Sequence, residues 1–171
     1  VTNLASLASW TADQFDPTLT WEDIAWIKDR WKGKLILKGI MDSEDAMLAV
    51  KAGADAIIIS NHGGRQLDGA PSTISVLPEI VDAVNSKVEV HFDGGVRSGQ
   101  DVLKALALGA DCIHIGRPYV YGLGAKGQEG VEIAIEIITK ELDLTMAMCG
   151  ETNISNVGLH NLHHNPFKNI N

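Results

Sequence analysis

Lys38-Gly-Ile-Met-Asp-Ser-Glu-Asp45 leads through Ala49 into Gly53-Ala-Asp-Ala-Ile-Ile-Ile-Ser60. Shifted by 56 residues, Gly94-Gly-Val-Arg-Ser-Gly-Gln-Asp101 leads through Ala105 into Gly109-Ala-Asp-Cys-Ile-His-Ile-Gly116. Gly39, Asp45, Ala49, Gly53, Ala54, Asp55, Ile57 and Ile59 recur as Gly95, Asp101, Ala105, Gly109, Ala110, Asp111, Ile113 and Ile115. Each copy predicts the same run of structure: strand end, glycine turn, capped helix, glycine stop, apolar strand. Asp42 and Ser98 stand at the N-cap positions, each with an aspartate three residues on, and Gly53 and Gly109 are helix stops. The β-branched runs that follow have the composition of buried strands.

Outward from this repeat the pattern continues. Thr20 and Asp23 have the spacing of a capping box, and Ile24, Ile27 and Trp31 form the apolar stripe of a first helix, with its tryptophans read as packing residues. Gly33 ends that helix, and Leu35–Leu37 is a short strand ending in Lys38. Between the copies, residues 72–85 predict a helix with Ile74, Leu77, Val81 and Val84 inward and Pro78 as a point of kinking. Val88–Phe92 is the next strand, ending at Asp93. A last helix is expected over 128–148, with Val131, Ile135, Ile138 and Leu142 facing in. Residues 1–19, with Trp10, Phe15 and the turn signal Asp16-Pro17, read as a loop remnant, and 151–171 as a loose polar tail. Strands alternating with helices imply parallel βαβ units. Strand ends at Lys38, Ser60, Asp93 and Gly116 make four. A complete (β/α)8 barrel takes about 250 residues; the 171 residues here predict an α/β fold, half of one such barrel in a single domain.

Composition narrows the function classes. Asp and Glu outnumber Lys and Arg 22 to 14, a formal charge of −8, which argues against a nucleic-acid partner. Cys112 and Cys149 are too far apart for a metal or redox motif; Cys112 reads as a buried thiol and Cys149 as inert. With no apolar span of about 18 residues, the expected setting is cytoplasmic, or peripheral to a membrane.

The polar residues of interest each follow an apolar strand, and in a parallel barrel all such exits open on one face. After Ile59 comes Ser60-Asn-His-Gly-Gly-Arg65. A histidine moves protons near neutral pH, and an arginine grips a carboxylate with two parallel hydrogen bonds, so His62 and Arg65 suggest a base beside an anion clamp. Asp93-Gly-Gly-Val-Arg97 and Gly116-Arg-Pro118 pair glycine backbone with arginine charge, a phosphate-binding combination after the last two strands. Asp93 suits sugar hydroxyls better than phosphate. Lys38 leaves open a Schiff-base aldolase, and the half barrel leaves open a unit that serves assembly alone. His160-x-x-His163-His164 reads as solvated tail, His91 and His114 as packed or hydrogen-bonded within strands, and no metal ligand is assigned.

Leu37-Lys-Gly-Ile40, Ser60-Asn-His-Gly-Gly-Arg-Gln-Leu-Asp68, Asp93-Gly-Gly-Val-Arg97, Lys104-Ala-Leu-Ala-Leu-Gly-Ala-Asp111 and Gly116-Arg-Pro118 together resemble the FMN-dependent α-hydroxy acid oxidase and dehydrogenase family, in its C-terminal half. Phe15-Asp-Pro-Thr-Leu-Thr-Trp21 is most similar to the L-lactate dehydrogenase branch. The resemblance implies the C-terminal half of a TIM barrel, the cofactor FMN, and oxidation of a small L-2-hydroxy acid to the 2-oxo acid. It implies His62 as catalytic base and Arg65 as substrate clamp. Lys38 would stand at the flavin N1/O2 edge, Ser60 would touch the flavin, and Asp93 would meet the ribityl chain. Gly94, Gly95, Val96, Arg97, Gly116 and Arg117 would form the phosphate site. Oxygen, a quinone or a cytochrome would accept the electrons, in a homo-oligomer. The family's other half barrel supplies further flavin contacts, substrate tyrosines and an aspartate partner for the base. Tyr119 and Tyr121 match none of these, because both follow the last strand.

Overall fold

The apolar run Ala56–Ile59 forms the inner strand β2, with Ile57 and Ile59 fully buried. It pairs in parallel with β1 (Ile36–Ile40) on one side and β3 (Glu89–Phe92) on the other, and β3 pairs in parallel with β4 (Cys112–Ile113). The spatial order β1-β2-β3-β4 follows the chain order, as successive βαβ units require. The structure, a computed structural model, describes Trp10, Gln14 and residues 16–163; Phe15 and His164 lie outside the described residues.

The helices are α1 (Trp21–Trp31), α2 (Ser43–Lys51), α3 (Thr73–Val84), α4 (Gly99–Ala107), α5 (Arg117–Lys126) and α6 (Gln128–Met148). The repeat is exact in the helices: α2 moved by 56 residues is α4. Asp42 accepts from the Glu44 N–H at 2.7 Å, and Ser98 accepts from the Asp101 N–H at 3.2 Å while the Asp101 carboxylate accepts back from Ser98. Both copies also share a clamp at the start of the preceding strand. The Asp55 N–H donates to the Leu35 carbonyl and its carboxylate accepts the Leu35 N–H; Asp111 does the same with Val90.

Register divides the sheet into two faces. Leu37, Ile57 and Val90 form one row, with Ile57 and Val90 buried. Lys38, Ile58, His91 and Cys112 form the neighbouring row, whose side chains point to the opposite face. Ile57 and Ile59 share the hydrophobic core with Ala49 of α2, Leu77, Ile80 and Val84 of α3, Ala105 of α4 and Ile138 of α6.

Several expectations are corrected. Strand β1 runs on past Lys38 to Ile40, because Gly39, at φ 100°, carries a register shift that keeps the chain in the sheet. Helix α3 is continuous through Pro78, and Ile80, off the expected stripe, is buried. In α1 the capping box forms, with the Asp23 carboxylate accepting the Thr20 N–H and hydroxyl, yet no residue of the helix is fully buried. Trp26 and Trp31 are 56% and 63% exposed, contrary to their expected packing role. Trp26 lies two residues, about 200°, from Ile24 and is stacked under Arg30 at 4.0 Å. Trp31 turns to donate its indole N–H to the Lys34 carbonyl. Ile135 is half exposed, because the buried residues of α6 are Gly130 and Ile138, with Ala134 half-buried between them, on a line one step to its side. Residues 151–163 form two short 3-10 turns, Ile154–Asn156 and Leu159–Asn161, with Glu151 accepting from Asn161 and paired with His160. Among the described residues no helix is long and apolar enough to cross a membrane.

A candidate cofactor and substrate site at the strand exits

Period-two alternation puts Ser60 two residues beyond Ile58, and Asp93 two beyond His91, on the face that carries Lys38. The Lys38 ammonium reaches across both strands, donating to the Ser60 hydroxyl and pairing with the Asp93 carboxylate. Ser60 is 1% exposed, and its oxygen also accepts the His62 N–H at 3.2 Å. Three of the four strand exits are therefore tied together through one buried hydroxyl and one ion pair.

The chain after Ser60 turns through a 3-10 segment, His62–Gly64, with φ of 54°, 69° and 73° at His62, Gly63 and Gly64. Glycine takes that region freely, but a histidine there costs about 1–2 kcal/mol and is held by its surroundings. Asn61 does the holding. Its side-chain oxygen accepts the Gly64 N–H and its amide donates to the Pro71 carbonyl, both at 3.2 Å. Asn61 escaped the sequence reading, although an asparagine before His-Gly-Gly is a recognisable turn former. The held turn sets the His62 ring beside Gly39, where a Cβ would lie 3.5 Å from its Cε1, and sets Gly63 against Arg117, where a Cβ would lie 3.4 Å from Nη2. The exits of β1, β2 and β4 thus meet around His62.

The anion-binding elements divide. A Cβ on Gly95 or Gly116 would meet nothing within 4 Å, so their backbone is open to a ligand. Arg117 is the first residue of α5, whose N-terminus has no side-chain cap; its unsatisfied N–H groups and helix dipole favour an anion. The guanidinium groups of Arg65, Arg97 and Arg117 meet no protein acceptor among the described residues, which leaves their charge for a bound anion. Gly94 instead serves packing: a Cβ there would sit 2.6 Å from Thr73 Oγ1. The Val96 side chain is in the core, 5% exposed, and the Arg97 N–H is taken by the Asp101 carboxylate at 3.0 Å. From that loop the Gly95 backbone and the Arg97 side chain remain for a ligand. Helix α5 itself was missed from sequence, because Gly122 and Gly124 blur its pattern. Gly122 is there to let α6 approach, since a Cβ would lie 2.2 Å from the Gly130 carbonyl oxygen.

The open backbone at Gly95 and Gly116, the capless N-terminus of α5 and the guanidinium groups of Arg97 and Arg117 fit a phosphate-bearing group. The family model described as FMN-dependent dehydrogenase matches residues 1–164. Mouse 2-hydroxyacid oxidase 1 is 51% identical over 150 residues, 88% of this chain and 40% of its own length. L-lactate dehydrogenase of Vibrio cholerae serotype O1 (strain M66-2) is 47% identical over 154 residues, 90% of this chain and 41% of its own. A crystal structure of mandelate oxidase superposes with a TM-score of 0.85 at 45% identity, covering 91% of this chain and 45% of that one. The chain spans about two fifths of the length of the curated relatives it matches, consistent with a half TIM barrel of four βα units. It belongs to the FMN-dependent dehydrogenase family of hydroxy acid oxidoreductases.

Proposed function

We propose that the complete protein oxidises a short L-2-hydroxy acid to the 2-oxo acid, with FMN as cofactor, and that this chain supplies the base, the carboxylate clamp and the phosphate site. The observation that carries the proposal is the meeting of His62, the Lys38–Ser60–Asp93 group and Arg117 at adjoining strand exits. When bound, FMN supplies the two-electron acceptor.

The chain's own residues do the rest. Arg117, Arg97 and the open backbone at Gly95 and Gly116 hold the phosphate. Lys38 offers positive charge to the flavin N1/O2 edge, while Ser60 fixes the ammonium and Asp93 offers its carboxylate to the ribityl hydroxyls. Arg65 grips the substrate carboxylate in a bidentate pair. His62 takes a proton from the substrate, on a backbone that Asn61 keeps in place. A Schiff-base reaction is disfavoured, because the Lys38 nitrogen is already engaged by the Ser60 hydroxyl and the Asp93 carboxylate. Among the described residues β1 and β4 are edge strands, and such edges favour pairing with the rest of a barrel or a second copy.

The test is anaerobic mixing of the purified full-length protein with L-lactate and larger L-2-hydroxy acids. Bleaching of a bound flavin spectrum by at least one of them is expected. A protein without flavin, or a flavin that none of these acids reduces, contradicts the proposal.

A further inference from the structure

Beneath the site just described lies a second cluster, which that function does not use. His91 and Cys112 are direct register partners on β3 and β4, and His114 lies two residues past Cys112, so all three side chains share one face of the sheet. One ligand atom from each of the three lies within 4.8 Å of the others. His91 Nδ1 and His114 Nε2 are 3.1 Å apart, joined by one shared hydrogen. Two nitrogens bound tetrahedrally to zinc, at about 2.0–2.1 Å each, stand roughly 3.3 Å apart. The histidine pair therefore already has nearly the bite of a metal site. A sulfur and a nitrogen on the same ion stand roughly 3.6 Å apart, against the 4.8 Å within which Cys112 Sγ lies of a ring nitrogen of each histidine.

An independent observation points to a ligand in the same place. The other nitrogen of His91, Nε2, faces the Glu89 carboxylate at 3.3 Å. A carboxylate that takes the remote N–H of a histidine fixes the ring tautomer and makes the opposite nitrogen a better donor, as around most metal-bound imidazoles. His91 is 8% exposed, so its orientation is set by packing. The nearby Lys38 charge is balanced by its ion pair with Asp93.

We propose that His91 Nδ1, His114 Nε2 and Cys112 Sγ form a binding site for a divalent transition ion of the zinc class. Two imidazoles and a thiolate make a borderline-soft donor set, with a fourth position left for water. On binding, the hydrogen that His114 Nε2 donates to His91 Nδ1 passes to His114 Nδ1 by tautomer exchange, and the ion takes its place between the two rings. The Cys112 thiol releases its proton to solvent as the metal–sulfur bond forms, so uptake liberates acid.

The test uses the complete, untagged, flavin-bearing protein. Zn²⁺ is titrated by equilibrium dialysis and Co²⁺ by absorbance, since thiolate ligation to Co²⁺ gives a charge-transfer band. One equivalent of either ion, the thiolate band, and loss of that band in Cys112→Ser and His114→Gln are expected. The exposed Glu89→Gln leaves the core untouched and should weaken Zn²⁺ about 10–100-fold. Absence of stoichiometric binding by the folded wild-type protein overturns the proposal. So does binding that survives Cys112→Ser and Glu89→Gln unchanged but vanishes when the tail histidines, His160 and His163, are replaced by glutamine. Flavin reduction by hydroxy acids is read separately on metal-free protein, so failure here and failure of the proposed activity are distinguishable.

Discussion

The two copies of the repeat agree at one end of the sheet and diverge at the other. At the strand starts, Asp55 and Asp111 make the same two-way clamp on Leu35 and Val90. At the strand exits, Lys38 in the first copy stands where Gly94 stands in the second, and Ser60 where Gly116 stands. The first pair builds a charged, hydrogen-bonded group; the second pair offers bare backbone. A duplicated scaffold thus holds two different halves of one site, and the difference lies in a few exit residues rather than in the elements.

The helix starts are the sharpest place to break this equivalence. Ser43 opens α2 and donates to Glu79, whereas its counterpart Gly99 opens α4 where α6 crosses so closely that a Cβ would lie 1.9 Å from the Leu142 nitrogen. The obstacle is backbone and cannot rotate away. Gly99→Ser should therefore destabilise the protein by about 1–3 kcal/mol or more, through forced separation of α4 and α6. Ser43→Gly should cost about 1 kcal/mol or less, from helix propensity. Denaturant unfolding of the two variants checks the ranking, and equal losses would mean that the copies are more alike than their packing indicates.

The exits come next in size. Removal of the Arg117 side chain deletes one charge-assisted contact from the proposed phosphate site, which is worth about 1.5–3 kcal/mol of FMN affinity. Arg97→Ala should lose a comparable amount, since its guanidinium, like that of Arg117, has no described acceptor. Dissociation constants for FMN measured by flavin fluorescence test both, and wild-type affinity in the pair would place the phosphate elsewhere.

The smallest effect separates the two clamps by pH. Hydrogen bonds from Lys28, Leu35 and Lys34 hold the Asp55 carboxyl far below its usual 3.8, while Asp111 has no lysine partner among the described residues. A carboxyl with a depressed pKa in the folded state contributes stability that is present above its unfolded value and is lost as pH falls through the folded one. Asp55→Asn should therefore lower Tm near neutrality, and the gap to wild type should close as pH drops below about 4. A gap independent of pH would assign the effect to packing.

Sequence patterns revealed most of the scaffold because periodicity and caps are local. The boundaries of α6 matched residues 128–148, and both repeat helices began at Asp42 and Ser98 as their caps required. The exits were legible as a list of polar residues after apolar strands. What each does was less legible, since neither Thr73 beneath Gly94 nor the Asp101 carboxylate on the Arg97 N–H is visible without packing. Helix α5 was hidden by its glycines, and the exposure of Trp26 by a stripe narrower than composition suggested. The meeting of His91 with His114 depends on strand register, which no local pattern specifies.

In the proposed reaction the strained turn after β2 presents His62 as the base. Single-turnover reduction of the bound flavin by an L-2-hydroxy acid in His62→Gln tests it most directly. The expected result is flavin retained in full and a reduction rate lower by at least about 10²–10⁴-fold, the contribution of a general base. Flavin reduced at the wild-type rate would contradict it.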